Sequence, residues 1–384
     1  MRVLKPLLFL ALLVLLLWLG GILSLVMLFM GQAYWLWLMW PAVLCLLLLA
    51  GSGLFGWLSP RWRRGVRLAL LGCTVIAGGI AAYQAWDDSF RTVADEVELS
   101  QYRPFEGEAR LARLPAPASL RLDGDLPRLD GATALYPLYA AFVQAVYPQD
   151  SYWPGQDPVR CSKTPEAWQR LIDGEADLIF VARPSQKQLE AAKAAGVEFV
   201  MTPIGREAFV FFVNARNPVR GLSVSQIQAI YSGELTDWRD AGGEAGRIKA
   251  FQRPEGSGSQ TMLQKIMAGK TLLPAPQADV VQGMGGIIRR AADYKNYRNA
   301  IGYSFLFFAT GMLRDEEIRL LEIDGVAPGH ASIRDGSYPF AADFYAVSVQ
   351  GRETPASRAL VEWILSAEGQ ALVAATGYVP RGER

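Results

Sequence analysis

The apolar and polar positions divide the chain into two unlike parts. From Leu7 to Met30 the sequence is an almost unbroken run of Leu, Val, Ile, Phe and Met. A second run covers Tyr34 to Leu58, and a third, richer in Gly and Ala, covers Val66 to Tyr83. A helix needs about 20 apolar residues to span a bilayer, so the first two runs are long enough and the third is borderline. The first run is too long for the apolar core of a cleaved signal, and no clear small-x-small site follows it. It reads as an uncleaved membrane helix. Beyond Ala118 the pattern changes. Short runs rich in Val, Ile, Phe and Tyr, bounded by turn residues, predict strands at Asp177–Ala182, Val197–Thr202, Ala208–Val213 and Asp343–Val349. Between them, apolar residues recur at three- and four-residue intervals over Pro165–Ile172, Gln186–Ala195, Val224–Tyr231, Gln260–Met267 and Ala356–Leu365, which predicts helices. Strands alternating with helices give an α/β architecture, with ligands expected at strand ends and helix starts.

Charge gives the first part an orientation. Arg2 and Lys5 flank the first run, and Arg61, Arg63, Arg64 and Arg67 separate the second from the third. The Gly31-Gln32-Ala33 link is uncharged. The positive-inside rule puts the N-terminus and the basic loop in the cytoplasm, and three crossings put everything after Trp86 outside. The expected organisation is a membrane region over residues 1–86 (helices at about 7–30, 34–58 and 66–83), a tether over 87–118 and a globular part over 119–384. The expected location is the inner membrane, multi-pass, with the globular part extracytoplasmic. Tyr34, Trp35, Trp37 and Trp40 read as an interfacial belt.

Composition narrows the function classes. A formal net charge of +1 gives no global field for nucleic acid. Of three cysteines, Cys45 and Cys73 fall in apolar runs and only Cys161 in the globular part. No disulfide can form within that part, and no Cys/His spacing suggests zinc.

Candidate chemistry gathers at helix starts. In "FQRPEGSGSQTMLQKI", Gly256-Ser257-Gly258-Ser259 links a strand-like stretch to a helix. Free backbone N–H groups and the positive dipole end make such a turn an anion site. The serines add donors, Gly258 permits close approach, and Arg253 offers a planar fork suited to carboxylate, sulfate or phosphate. Taken alone, such a turn is more often an ordinary N-cap with a solvated arginine, since Ser is simply a favoured cap. "DGATALYPLY" carries Thr133 just before a helix start near Ala134, and "CSKTPEAWQRL" carries Ser162, then Thr164 as an N-cap before Pro165. Three such starts and one arginine become informative only if the fold brings them together.

These segments carry a resemblance. "DGATALYPLYAAF", "GEADLIFVARPS", "LSVSQIQAIYSGELTDW", "FQRPEGSGSQTMLQKIM", "NAIGYSF" and "TGYVP" occur in that order between Leu120 and Pro380. This part resembles the phosphate-binding component of the phosphate ABC transporter, within the type II periplasmic binding protein superfamily. The resemblance implies a two-lobed α/β fold, with lobe one over about 119–205 and 337–384 and lobe two over about 206–336. It implies a non-enzymatic protein without cofactor or metal that closes on a small oxyanion, inorganic phosphate first. Its partners would be an ABC permease or a membrane sensor. By position, Thr133, Ala134 and Ser162 would contribute from lobe one, and Arg253, Ser257, Gly258 and Ser259 from lobe two. Glu255 falls where the family places an acid that pairs with the arginine. The family also has an aspartate that accepts a hydrogen bond from protonated phosphate. Its place falls at about Ala182 or Arg183, neither an acceptor, so the choice between phosphate and sulfate stays open. Arg183 would instead add a second cation. The membrane runs lie outside the resemblance.

Other candidates read as structural. His330 has no sequence partner for catalysis, and Asp123, Asp125 and Asp130 suit turns better than calcium. A phosphate-ester hydrolase using the same grip would need a nucleophile, metal ligands or a paired acid and base. A scaffold of this fold that lost its ligand is the third alternative.

Overall fold

The structure, a computed structural model, describes residues 4–29, 36–88, 97–275, 279–281, 283–292, 297–313 and 315–382. It contains two compact units, Met1–Arg91 and Thr92–Arg384.

The first unit is three helices, Leu4–Phe29, Leu36–Phe55 and Pro60–Asp88. Among the described residues, two stretches are long and apolar enough to cross a membrane, Leu4–Leu25 and Pro60–Ala82, while the middle helix carries the shorter apolar stretch Met39–Phe55. The third run, expected to be borderline, therefore qualifies, whereas the described part of the second falls short. Pro60 suits a helix start, so the third helix begins before the arginines and gains length from them. The beginning of the second run, residues 30–35, lies outside the described residues. Arg63 has a structural task beyond topology. Its Nε donates to Ser52 Oγ at 2.6 Å and its Nη2 to the Ser52 carbonyl at 3.0 Å, closing the end of the middle helix.

The second unit is built on a mixed sheet. Its strands are β1 (Leu129–Gly131), β2 (Gly155–Gln156), β3 (Val159–Arg160), β4 (Leu178–Val181), β5 (Phe199–Asn214), β6 (Gly221–Leu222), β7 (Lys249–Ala250), β8 (Ala300–Phe305), β9 (Ile318–Leu320), β10 (Glu322–Ile323), β11 (Ala341–Val349) and β12 (Val379–Pro380). The main order is β2-β3-β1-β4-β11-β5-β8-β7, with β9 and β12 also on β5 and a separate β6–β10 pair. β5 changes partner along its length. Phe199 to Ala208 pair with β11, and Phe209 to Val213 pair with β8. The chain therefore passes between lobes at Ala208–Phe209 and returns along β11.

Two predicted strands, Val197–Thr202 and Ala208–Val213, are thus one. The intervening Pro203-Ile204-Gly205 looked like a turn because Pro and Gly usually interrupt pairing. Here the register slips between Phe344 and Tyr345, and a Cβ on Gly205 would lie 2.5 Å from the Phe344 ring. The bulge and the missing side chain admit that ring, and the strand continues.

The expected tether also differs. Asp87 and Asp88 end the third helix, residues 89–96 lie outside the described residues, and the chain from Val97 onward packs on the globular unit. Tyr102 is 3% exposed, and Arg103 donates to the Tyr152 carbonyl at 3.3 Å and to Ser151 Oγ at 3.0 Å. Arg103 also stacks 3.4 Å above the Trp153 ring. Isolated apolar residues without helix or strand period carry this packing, so pattern reading takes the segment for a linker.

Candidate functional site

Lobe one offers the cleft three strand ends on one edge. β1 runs parallel to both β3 and β4, so their C-terminal ends face the same way, where α/β sheets bind ligands. β1 ends on Gly131, where a Cβ would lie 2.5 Å from the Phe180 carbonyl oxygen, so only glycine fits. Thr133–Leu135 form one 3-10 turn and lead into the helix Tyr136–Val146. After β3, Cys161 to Lys163 lead into the helix Thr164–Asp173. Thr164 is therefore the first helical residue and not the N-cap expected. The cap position belongs to Lys163, at φ 76 and ψ 167, a conformation almost confined to glycine. Strain of that kind, on the order of 1–3 kcal/mol, gathers at functional sites. After β4 come Ala182 and Arg183, with Arg183 5.3 Å from the Tyr345 ring centre.

Lobe two mirrors this arrangement. β7 runs parallel to β8, and the chain leaves β7 through Phe251 and Gln252 to Arg253. Gly256 takes the left-handed conformation at φ 82, and Ser257 caps the helix Gly258–Met267, its hydroxyl accepting from Gln260 N at 3.3 Å. Gln260 sits at the third helical position, where a capping box would have it reach back to the cap. Its Oε1 instead accepts from Arg253 N at 3.0 Å, and Tyr303 OH accepts from the same N–H at 2.9 Å. Arg253 Nη1 donates to the Val281 carbonyl at 2.9 Å. Arg253 is held by backbone and side chain together. Gln260 and Tyr303 were not singled out from the sequence, although the Ser-x-x-Gln spacing was visible.

Both lobes face one cavity of about 760 Å³. Of the residues expected at the site, Thr133, Ala134, Arg183, Arg253, Ser257, Gly258 and Ser259 line it, as do Ala182, Glu255, Thr164 and Lys163. Ser162 does not line it. Its Oγ donates to Asp130 Oδ2 at 2.7 Å and its backbone N–H to Asp130 Oδ1 at 2.7 Å. Asp130, expected in a turn, is instead a fully buried residue of β1 that also faces Arg170 Nε at 3.0 Å. Ser162 therefore fastens the loop behind the site. The lobes meet at the cleft: Gln188 Nε2 donates to the Gly256 carbonyl at 3.3 Å, and a Cβ on Gly258 would lie 3.3 Å from Thr164 Oγ1. His330 and the Asp123 and Asp125 pair are exposed and do not line the cavity. Among the described residues no group of three or more His, Cys, Asp or Glu could hold a metal ion.

The cavity's chemistry suits anions. Lys163, Arg183, Arg206, Arg253 and Lys265 all line it. Cys161 lines it too, but burial pushes its thiol up to about 11, leaving it protonated and inert. Glu207 is a buried wall residue of β5 next to the lobe crossing. Burial pushes its carboxyl up to about 8, against the backbone N–H groups of Ala208 and Phe307, which lower it. At neutral pH it therefore adds no full negative charge. Between its ordinary 4.5 and about 8, the unfolded chain has released a proton that the folded chain keeps. Stability should fall across that window and level off above it. Wild-type Tm is expected to drop from pH 5 to pH 8 by roughly 5 °C more than that of Glu207→Gln. Parallel declines in a fluorimetric melting series would remove this assignment.

Comparison with known proteins places this geometry. The chain is 25% identical over 170 residues to the phosphate-binding protein PstS of Bacillus subtilis, covering 44% of this chain and 53% of that protein. It thus spans about half the length of that relative. It is 22% identical over 269 residues to protein SphX of Synechococcus elongatus, covering 65% of this chain and 76% of SphX. Among solved structures, a substrate-binding protein with bound phosphate from Clostridium perfringens aligns with a TM-score of 0.54 at 23% identity. That alignment covers 67% of this chain and all of the other, a likeness of fold. A family model described as PBP superfamily domain matches residues 128–368, well over half the chain, and spans the cleft residues from Ala132 to Tyr345. The chain belongs to the PBP superfamily domain family.

Proposed function

We propose that the chain is a non-enzymatic, extracytoplasmic binding protein for a small oxyanion, phosphate first, tethered at the inner membrane by its N-terminal helices. One observation carries the reading. Two helix starts of lobe one, one of lobe two and the anchored Arg253 line a single cavity. Each helix start offers backbone N–H groups without intrahelical partners, and the arginine adds a fork suited to tetrahedral anions. The names of the relatives, phosphate-binding proteins among them, support phosphate over other anions. Delivery to an ABC permease and sensing through the membrane helices are both outputs of such a domain.

The test uses the full-length protein in detergent. Millimolar inorganic phosphate is expected to raise Tm by several degrees, since a ligand at about 100 times its Kd adds about 2.7 kcal/mol to stability. No shift with phosphate, sulfate or small carboxylates would leave a scaffold without this ligand. In spheroplasts, external protease should digest the part after Trp86. Protection until the inner membrane is broken would overturn the topology.

A further inference from the structure

The cavity is far larger than a bare oxyanion needs. A five-atom tetrahedral ion displaces only a few waters at about 30 Å³ each, whereas about 760 Å³ is available. That volume is typical of sites that enclose drug-sized organic molecules, roughly 300–1,000 Å³. Separated lobes do not account for the excess, because Gln188 already bridges to Gly256 and Thr164 already approaches Gly258. The surplus wall is apolar: Leu99, Leu135, Met262, Phe305, Phe308 and Phe344 line it. Leu99 comes from the segment before residue 128, outside the matched family domain. Of these, Leu99, Met262 and Phe305 are partly exposed; a bare phosphate would leave them in contact with water, and covering them is favourable.

Resting on the oxyanion reading above, we propose that the ligand of this cleft is a phosphoryl or phosphonyl group carrying an apolar substituent. The head is held by the helix starts and Arg253, and the body lies against the aromatic and aliphatic wall. Arg183, which lines the same cavity and lies 5.3 Å from the Tyr345 ring centre, joins the cationic and aromatic sides of the cavity. Of the cavity acids Glu166, Glu207, Glu255 and Asp343, Asp343 lies 3.6 Å from Arg206 and Glu207 is largely protonated at neutral pH through its burial, while five cations, Lys163, Arg183, Arg206, Arg253 and Lys265, line the same cavity. The lining therefore selects an anionic head and an uncharged body.

Calorimetry on the full-length protein with inorganic phosphate, methylphosphonate and phenylphosphonate tests the proposal. Phenylphosphonate is expected to bind at least tenfold more tightly than either of the others, about 1.4 kcal/mol. Leu99→Ala, a half-buried wall position, is expected to narrow that ratio. Phosphate binding as tightly as phenylphosphonate or more tightly would overturn the apolar substituent and leave the oxyanion reading standing. A wild-type preference that Leu99→Ala and Phe305→Ala both leave intact would overturn the assigned wall. Failure of all three ligands to bind would remove both readings.

Discussion

Arg253→Ala is expected to weaken phosphate binding by at least about 100-fold, because truncating one partner of a desolvated, charge-assisted contact costs several kcal/mol. The fold should survive. The Arg253 backbone N–H keeps its bonds to Gln260 Oε1 at 3.0 Å and Tyr303 OH at 2.9 Å whatever side chain follows. The 2.9 Å bond from Nη1 to the Val281 carbonyl is lost with the guanidinium. Ser257→Ala should behave differently. It removes one hydroxyl donor from the cavity and leaves the helix N–H groups, so affinity falls about tenfold, or 1–2 kcal/mol. It also removes the cap on Gln260 N and should cost about 1 kcal/mol of stability. Arg253→Lys keeps the charge without the planar fork and should fall between these variants. Calorimetric titration of the full-length variants with phosphate measures this ordering. Equal losses in Arg253→Ala and Ser257→Ala would mean that the arginine is not the principal grip.

Much of this was legible because local signals agreed with the tertiary outcome. The helices predicted over Gln186–Ala195 and Val224–Tyr231 form at Gln186–Ala194 and Val224–Ser232, both with capping boxes. A polar cap followed by regular apolar spacing states a helix whatever surrounds it. The expected turn at Gly256–Ser259 and the cation at Arg253 likewise rested on local chemistry, and the cavity brings them together. The misreadings have tertiary causes. Pro203 and Gly205 announce a break, yet the ring of Phe344, almost 140 residues away in sequence, needs the missing Cβ and the strand runs on. Val97 to Ala118 has no period, yet its scattered apolar residues pack against a surface that the pattern does not describe. Lys163 has the wrong side chain for its backbone conformation, so no propensity argument selects it. Asp130 looked like one of several turn aspartates. Its burial depends on Ser162 and Arg170, both more than thirty residues later in the chain.

Asp130→Ala should be the most destabilising of the substitutions considered. Asp130 is 0% exposed, and its two oxygens face Gly131 N at 2.7 Å, Ser162 N at 2.7 Å, Ser162 Oγ at 2.7 Å and Arg170 Nε at 3.0 Å. Removing the carboxylate strands the buried Gly131 N–H, the half-buried Ser162 N–H and one side of a guanidinium. Breaking a buried charge pair from one side costs about 3–5 kcal/mol. For a domain of this size that lowers Tm by roughly 6–15 °C. Arg170 limits the damage, because Asp157 at 2.8 Å and Glu175 at 2.7 Å still neutralise it. Asp130→Asn keeps one acceptor and should lose about half as much as Asp130→Ala. Ser162→Ala separates the two roles open to that serine. As a fastening residue it should cost about 1 kcal/mol of stability and leave phosphate affinity within about twofold, since the backbone bond to Asp130 remains. As a direct ligand it would lose affinity about tenfold at nearly constant Tm. Melting curves and phosphate titrations of the same three variants distinguish these outcomes. A Tm for Asp130→Ala within about 2 °C of wild type would mean that the buried carboxylate does not secure the Cys161–Lys163 loop on which the Thr164 side of the cleft depends.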